Sequence, residues 1–287
     1  MTTQIDAAAL QEEWNRQQTD LTARIISHDV LSFHPPPSES SPSFVQHTPH
    51  AGGCKARGCD ADTNPWPGLK YIAGMDVSFF EGTDEAIGCL VVLSVPGMEQ
   101  VYVDCQKVTL DTPYIPSYLA FREAPILLRM LQKVRDTLPE VVPQVLMIDG
   151  NGVLHPRKCG LACHVGVLAD IPAIGVAKNF LQIDSENLVL RNMKDMSKQH
   201  LTKAGDWFPI VGEASGEVYG AALRATSDAA NPVFVSPGHR ISLRTSVELT
   251  AWCSVFRVPE PIRAADYASR EVVRAVEREA AVKKSEV

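Results

Sequence analysis

Five titratable residues stand where short apolar runs end or are interrupted, and together they fit divalent-metal hydrolysis of a phosphodiester. Asp149 follows Val145-Leu146-Met147-Ile148 and precedes Gly150-Asn151-Gly152-Val153-Leu154-His155-Pro156-Arg157. A carboxylate at the carboxyl end of a buried strand, then a glycine-rich turn, then His and Arg, lies where open α/β sheets bind their ligands. Asp76 interrupts the strand-like run Tyr71 to Phe80, and Glu123 lies on the apolar stripe of Leu119, Leu127 and Leu131. Lys178 ends the run 173–177, and His239 follows Val233 to Ser236. Carboxylate oxygens hold Mg²⁺, with Mn²⁺ as a substitute, and leave positions for water and phosphate. A lysine stabilises transition-state charge, and a histidine can ligate, shuttle a proton or position water.

Each of these residues also has a plainer reading. Asp149 can cap the Asn-Gly turn, Asp76 can face solvent, and Lys178 can snorkel to the surface. Glu123 can pair with Arg122 or Arg129, although Arg122 points about 100° away around a helix. His164, inside the small-residue segment 160–170, reads as a satisfied, partly buried histidine.

The elements that must position these residues can be read along the chain. Leu10, Trp14, Leu21 and Ile25 recur at helical spacing within 6–28, so residues 1–31 supply a helix packed on the core. Residues 32–69 carry seven prolines (35, 36, 37, 42, 49, 65 and 67) among Ser-rich and Gly-rich pieces, the composition of a disordered insert. His47, His50, Cys54 and Cys59 within it could bind zinc as two His and two Cys, but their spacing matches no standard finger. Three strands in a meander follow, at Tyr71 to Phe80, Ala86 to Val95 and Val101 to Leu110. A helix capped by Ser117 runs to about Leu138. Strand 145–149, helix 160–170 and strand 173–177 form a short crossover, which predicts parallel pairing and puts Lys178 at the same edge as Asp149.

Residues 184–206 balance four basic against four acidic side chains and read as a solvated excursion rather than a nucleic-acid tail. Strands at 218–225 and 233–236 follow, with His239 at the tip of the second. Ser242 caps a helix from Leu243 to Phe256, and a charged helix closes the chain, its residues 276–287 forming a tail. The folded unit is a single α/β domain over 70–275.

Length and composition set the outer limits. The chain has 287 residues, 45% of them hydrophobic, enough for one large core. Its net charge of −7 argues against indiscriminate coating of nucleic acid but leaves room for a local basic groove. No run approaches the roughly 18 apolar residues of a membrane span, and the N-terminal segment has no apolar signal core. The seven cysteines are scattered in apolar segments, the usage of a reducing compartment, so an intracellular, cytoplasmic or nuclear, protein with no membrane attachment is expected.

Five blocks in order resemble the Endonuclease V family. They are Met75-Asp76-Val77-Ser78-Phe79; Pro113-Tyr114-Ile115-Pro116 with Leu119-Ala120-Phe121-Arg122-Glu123; Asp149 to Arg157; Gly175-Val176-Ala177-Lys178; and Ser236-Pro237-Gly238-His239. The resemblance implies an RNase H-like mixed sheet flanked by helices and Mg²⁺-dependent hydrolysis at the second phosphodiester 3′ to inosine or deoxyinosine. It implies Asp76 and Asp149 as principal metal ligands, Glu123 and His239 completing the metal site, and Lys178 near the scissile phosphate.

Pro113, Tyr114, Ile115 and Pro116 would match the family's wedge, with Tyr114 stacking beside the damaged pair, and Leu119, Gly150, His155 and Leu161 would line the base pocket. Extruding a base costs a few kcal/mol, which an aromatic wedge offsets by stacking. The insert at 32–69 and the excursion at 184–206 resemble the longer animal type, which implies a preference for inosine-containing RNA over DNA; a monomer is expected. Two alternatives stand beside this reading: another RNase H-like structure-specific nuclease, which would not need the wedge, and a non-cleaving inosine-binding protein.

Overall fold

The computed structural model describes residues 7–37, 44–48, 64–110, 112–113 and 115–285. Strands β2 (Tyr71–Phe79), β3 (Glu85–Ser94) and β4 (Gln100–Thr109) form the expected antiparallel meander. On its other side β2 pairs in parallel with β5 (Val145–Asp149), which pairs in parallel with β6 (Ala173–Ala177). Antiparallel strands β9 (Val233–His239), β8 (Val218–Leu223), β7 (Asp206–Val211) and β1 (Gln46–His47) complete the order β1-β7-β8-β9-β6-β5-β2-β3-β4. This mixed sheet is the RNase H-like architecture that the sequence resemblance implies.

Alternation along each strand divides two cores. Ile72, Val145, Met147, Ile174 and Val176 face α5 (Leu243–Trp252) and α6 (Glu260–Ser285). Ala73, Met75, Leu146 and Ile148 face α2 (Ala120–Thr137) and α3 (Leu161–Ala169). Helix α1 (Ala7–Thr22) packs over the start of α2, with Trp14 stacked on Phe121 at 4.8 Å and tilted against Tyr118. Helix α4 (Leu190–His200) covers the β7 end of the sheet. Among the described residues no helix is long and apolar enough to cross a membrane.

Several expectations are corrected. The tract 32–69 is not wholly without structure: Phe33, Trp66 and Leu69 are buried in the main core, and Gln46–His47 adds the edge strand β1. Local proline content says nothing about anchors that dock on a distant core. His47 contacts Asp206 at 3.1 Å, while His50, Cys54 and Cys59 lie outside the described residues.

Ser117 does not cap α2. Its φ is +67°, and its carbonyl instead gathers side chains from other segments. Ser242 does cap α5, its hydroxyl accepting from the Thr245 amide at 3.2 Å. Strand β7 is masked in the sequence by Pro209, which lies past the two residues, Asp206 and Trp207, that β1 pairs, where its missing N–H breaks no pairing with β1. Cys89 and Cys105, directly opposed on β3 and β4, form a disulfide where only reduced thiols were expected, because the meander juxtaposes residues 16 apart.

Candidate functional site

Register and alternation assemble the site. Met75 pairs with Ile148, so the next step along two parallel strands sets Asp76 beside Asp149. Asp76 shares the face of Ile72, and Asp149 that of Val145 and Met147; both look toward α6. Asp149 in turn pairs with Val176, so Lys178 lies one alternation beyond it on the same face. Three strands running or ending at one edge thus present two acids and a lysine together.

Helix α6 supplies a third acid, and Gly74 decides where. A Cβ on Gly74 would lie 1.7 Å from the Pro261 carbonyl oxygen, so the helix start rests directly on the β2 backbone. From that contact, two residues along the strand and about one helical turn along α6 both advance roughly 6 Å, which brings Asp266 to Asp76. Carboxylate oxygens of Asp76, Asp149 and Asp266 all lie within 4.8 Å of one another. Ser269, one turn further, donates to Asp76 Oδ2 at 2.8 Å and contacts the Ser78 hydroxyl at 2.8 Å.

The cluster's charge is poorly balanced by the chain alone. Lys178 Nζ lies 2.6 Å from Asp149 Oδ2 and 3.0 Å from Asp266 Oδ1. Burial opposes its charge, but bonds to Asp149 and Asp266 outweigh burial and hold its pKa above the ordinary lysine value. Burial, then the charge of Asp149, pushes Asp76 up to about 6. Glu123, buried on α2, is pushed up to about 8 by burial, then by Asp76 and Asp149. Arg270 adds a second cation, 3.0 Å from Asp266, yet neither it nor Lys178 pairs with Asp76 or Glu123 among the described residues. Converging hard oxygen donors, with Asp76 and Glu123 raised by burial and by the neighbouring acids, form a donor set suited to Mg²⁺ or Mn²⁺. Asp76, Asp149 and Asp266 could hold the ion, with Glu123 in their field.

The structure does not bring His239 to this group. Strand β9 runs antiparallel to β6, so His239 pairs with Ala173, the first residue of β6, whereas Asp149 pairs with Val176. That separation is about 10 Å along the strand, toward the opposite edge. There His239 Nε2 lies 3.5 Å from Asp170, and Nδ1 accepts from the Ile26 amide at 3.4 Å. A strand tip is legible in sequence; which edge it reaches is not. Asp266 was missed because α6 reads as an evenly charged helix. A signal was available: Asp266 follows Ile262 by four residues and precedes Ser269 by three, so it interrupts a buried stripe as Glu123 does on α2.

The glycines of the 150–160 segment serve the chain's own backbone. A Cβ on Gly152 would lie 2.1 Å from the Pro237 carbonyl oxygen, and one on Gly175 would lie 2.3 Å from the Gly152 nitrogen. The loop is pinned there by Gly152 N–H to Ser236 Oγ at 2.8 Å and Val153 N–H to the Pro237 carbonyl at 2.9 Å. Gly150 and Leu161 are neighbours.

His155 is buried as a neutral imidazole, its pKa pushed down to about 4 by burial and then by Arg157. Its Nε2–H donates to the Ser117 carbonyl at 3.0 Å, and Nδ1 accepts from the Arg157 amide at 3.2 Å. Both nitrogens are committed to backbone, so His155 offers no free hydrogen bond and holds the 113–119 loop in place. Arg157 donates to the same carbonyl at 2.7 Å and stacks on Tyr118 at 4.0 Å. In that loop Pro113 and Pro116 are exposed, Ile115 is half-buried and Leu119 is exposed, while Tyr114 lies outside the described residues. His164 is fully enclosed, edge-on to Phe121 at 4.7 Å; its Nε2 has no partner, so it is not the satisfied histidine expected.

A family model described as Endonuclease V matches residues 55–267. Mouse and human Endonuclease V are each 47% identical over 228 residues, 77% of this chain, and the matches span 66% of the mouse protein and 79% of the human one. The catalytic domain of human Endonuclease V is similar in structure, with TM-score 0.76 and 39% identity over 93% of this chain and 97% of that one. Endonuclease V of Ciona intestinalis, in complex with a DNA containing an inosine followed by a ribo-adenosine, gives TM-score 0.76 and 33% identity over 93% and 99%. The family model covers most of the chain, and human Endonuclease V is 47% identical to it over 77% of its length, so the chain belongs to the Endonuclease V family.

Proposed function

We propose that this chain is a metal-dependent endonuclease that cuts inosine-containing single-stranded nucleic acid at the second phosphodiester 3′ to the inosine, RNA in preference to DNA. The convergence of Asp76, Asp149 and Asp266 on Lys178, at one edge of the sheet, carries the reading. These carboxylates would hold Mg²⁺, or Mn²⁺ in its place. When bound, the ion supplies a Lewis acid for the phosphoryl oxygen and lowers the pKa of a bound water.

The chain's own residues do the rest. Ser269 fixes the Asp76 carboxylate through its hydroxyl, and β2 and β5 hold Asp76 and Asp149 at a fixed register. Glu123, with its pKa near 8, can hold a proton on its carboxyl near neutral pH and release it as positive charge enters the cluster. Lys178 Nζ, now shared between Asp149 and Asp266, stands where it can neutralise charge on a phosphate brought to those acids. Pro113, Tyr114, Ile115 and Pro116 serve as the wedge, and Leu119, Gly150 and Leu161 line the base site, with His155 positioning the loop through Ser117.

The RNA preference rests on similarity to the longer animal members, and the Ciona protein's complex carries a ribose directly 3′ of inosine. Matched strands test the whole reading: inosine RNA, deoxyinosine DNA, and DNA with one ribonucleotide after the inosine, each with Mg²⁺ and sequenced ends. RNA and the single-ribonucleotide strand should be cut at the second 3′ phosphodiester, and all-DNA more slowly. Equal cutting of adenosine controls would point to a structure-specific nuclease, binding without cutting would point to a silent inosine binder, and either result overturns the proposal.

A further inference from the structure

Beyond Lys178 the same sheet edge continues over β9, which runs the other way, and β8, which runs with β6. Ala177 pairs with Phe234, and Phe234 with Ala222, so the end of β6, the start of β9 and the end of β8 lie side by side there. Above them, under α4, is a cavity of about 630 Å³. Lys178, Lys194, Lys198, Arg224 and Arg257 line it, and among the described residues no carboxylate does.

The two arginines are fixed by carbonyls alone. Arg224 donates to the Leu201 carbonyl at 3.0 Å and the Ser227 carbonyl at 2.8 Å; Arg257 donates to the carbonyls of Pro232, Asn231 and Lys178. Their charges are held in place without an anion. Lys194 and Lys198 are four residues apart on α4, hence on one face, and both are exposed. Phe234, Phe180 and Pro232 give the cavity an apolar floor.

Two of the acids that balance this segment on paper are committed elsewhere. Glu186 accepts from the Ser215 amide and from the hydroxyls of Ser215 and Tyr219. Asp206 accepts from the amides of Thr202 and Lys203 and from the Thr202 hydroxyl. The segment that reads as neutral in sequence therefore presents net positive charge to the cavity. Basic walls over an apolar floor suit a phosphate-bearing nucleotide.

The ligand could be a free nucleotide or part of the substrate strand, and position favours the strand. Loop 113–119 leaves the sheet at the β4 end of this edge, since Thr109 pairs with Glu85 at the start of β3. Along the edge the order is then loop, acids, Lys178, cavity. We propose that the cavity seats the strand 3′ of the cut, with downstream phosphates on Lys194, Lys198 and Arg257 and a base on the apolar floor. This rests on the inosine reading, which puts the base at the loop and the cut two phosphodiesters further 3′.

Fluorescence anisotropy on the full chain in EDTA tests it without cleavage. Single-stranded inosine RNAs share one 5′ arm and extend either two or six nucleotides beyond the scissile bond. The longer strand should bind on the order of tenfold tighter to the wild type. Lys194→Glu/Lys198→Glu should erase that gain, while lengthening the 5′ arm should change its affinity as it does for the wild type. A Tm equal to the wild type checks folding, and Lys194→Gln/Lys198→Gln replaces the pair if the charge reversal lowers it. A variant that keeps the 3′ gain overturns the proposal. So does AMP that binds the cavity without displacing the longer strand, which would make it a free-nucleotide site. Adenosine strands separate the two readings: if inosine gives no advantage but the 3′ gain persists, the inosine reading fails and the cavity assignment stands.

Discussion

Asp149 carries two duties that one substitution separates. Its carboxylate belongs to the acid cluster and also pairs with Lys178 at 2.6 Å. Asp149→Asn keeps the size and removes the charge, so Mg²⁺-dependent cutting should fall by about 10³-fold while strand affinity in EDTA stays within about threefold. Cleavage at the wild-type rate would remove Asp149 from the metal site.

His155 predicts a pH effect of opposite character, on stability rather than on cutting. Its pKa falls from 6.5 in the unfolded chain to about 4 in the fold, so between those values the unfolded state binds more protons. The stabilisation is whole above pH 6.5 and is lost as pH falls through about 4, amounting to about 3 kcal/mol at most. His155→Gln should lower Tm at pH 7 yet flatten the drop between pH 7 and pH 4.5. A pH dependence as steep as the wild type's would mean that other groups govern acid lability.

At the scale of elements, the contact of α6 with β2 sets the site. Gly74→Ala inserts a methyl where the Pro261 backbone already lies, so the helix must lift or the strand must bend. A loss of about 1–3 kcal/mol is expected from such overpacking, and cleavage should fall further than Tm alone explains because Asp266 rides on the displaced helix. Gly74→Ala with wild-type cleavage would show that Asp266 is not placed by this contact.

The same contact marks what a sequence conveys. The apolar runs place Asp76 within one strand and Asp149 and Lys178 at the ends of two others because they are visible locally, whereas the one face the three share follows from the register between strands. The parallel pairing of β5 and β6 followed from their short crossover. The direction of β9 and the landing point of α6 depend on connections of dozens of residues, so His239 was drawn to the wrong edge and Asp266 was overlooked. Phe33 and Trp66 escaped notice for a related reason: a proline-rich tract hides anchors whose partners lie elsewhere in the chain.

At the scale of the molecule, net charge and local field part company. The chain carries −7, yet its basic cavity and its acid cluster share one edge of a sheet whose outer strands lie about 38 Å apart. Charges separated by more than about 10 Å are largely screened at ordinary salt, so a strand at that edge meets the lysines of α4 and little of the acidic remainder. Affinity for single strands should therefore fall with salt despite the negative total. Each phosphate neutralised contributes a slope of about −0.7 in log K against log salt. Three or four contacts predict about −2 to −3 for the strand extended on its 3′ side. Lys194→Ala/Lys198→Ala removes two of them and should bring the slope about 1.4 closer to zero, while the strand with two nucleotides beyond the cut changes less. A slope that is the same in wild type and double variant would mean that the backbone takes another path across the edge, and that Lys178 alone meets the phosphates beside the acids.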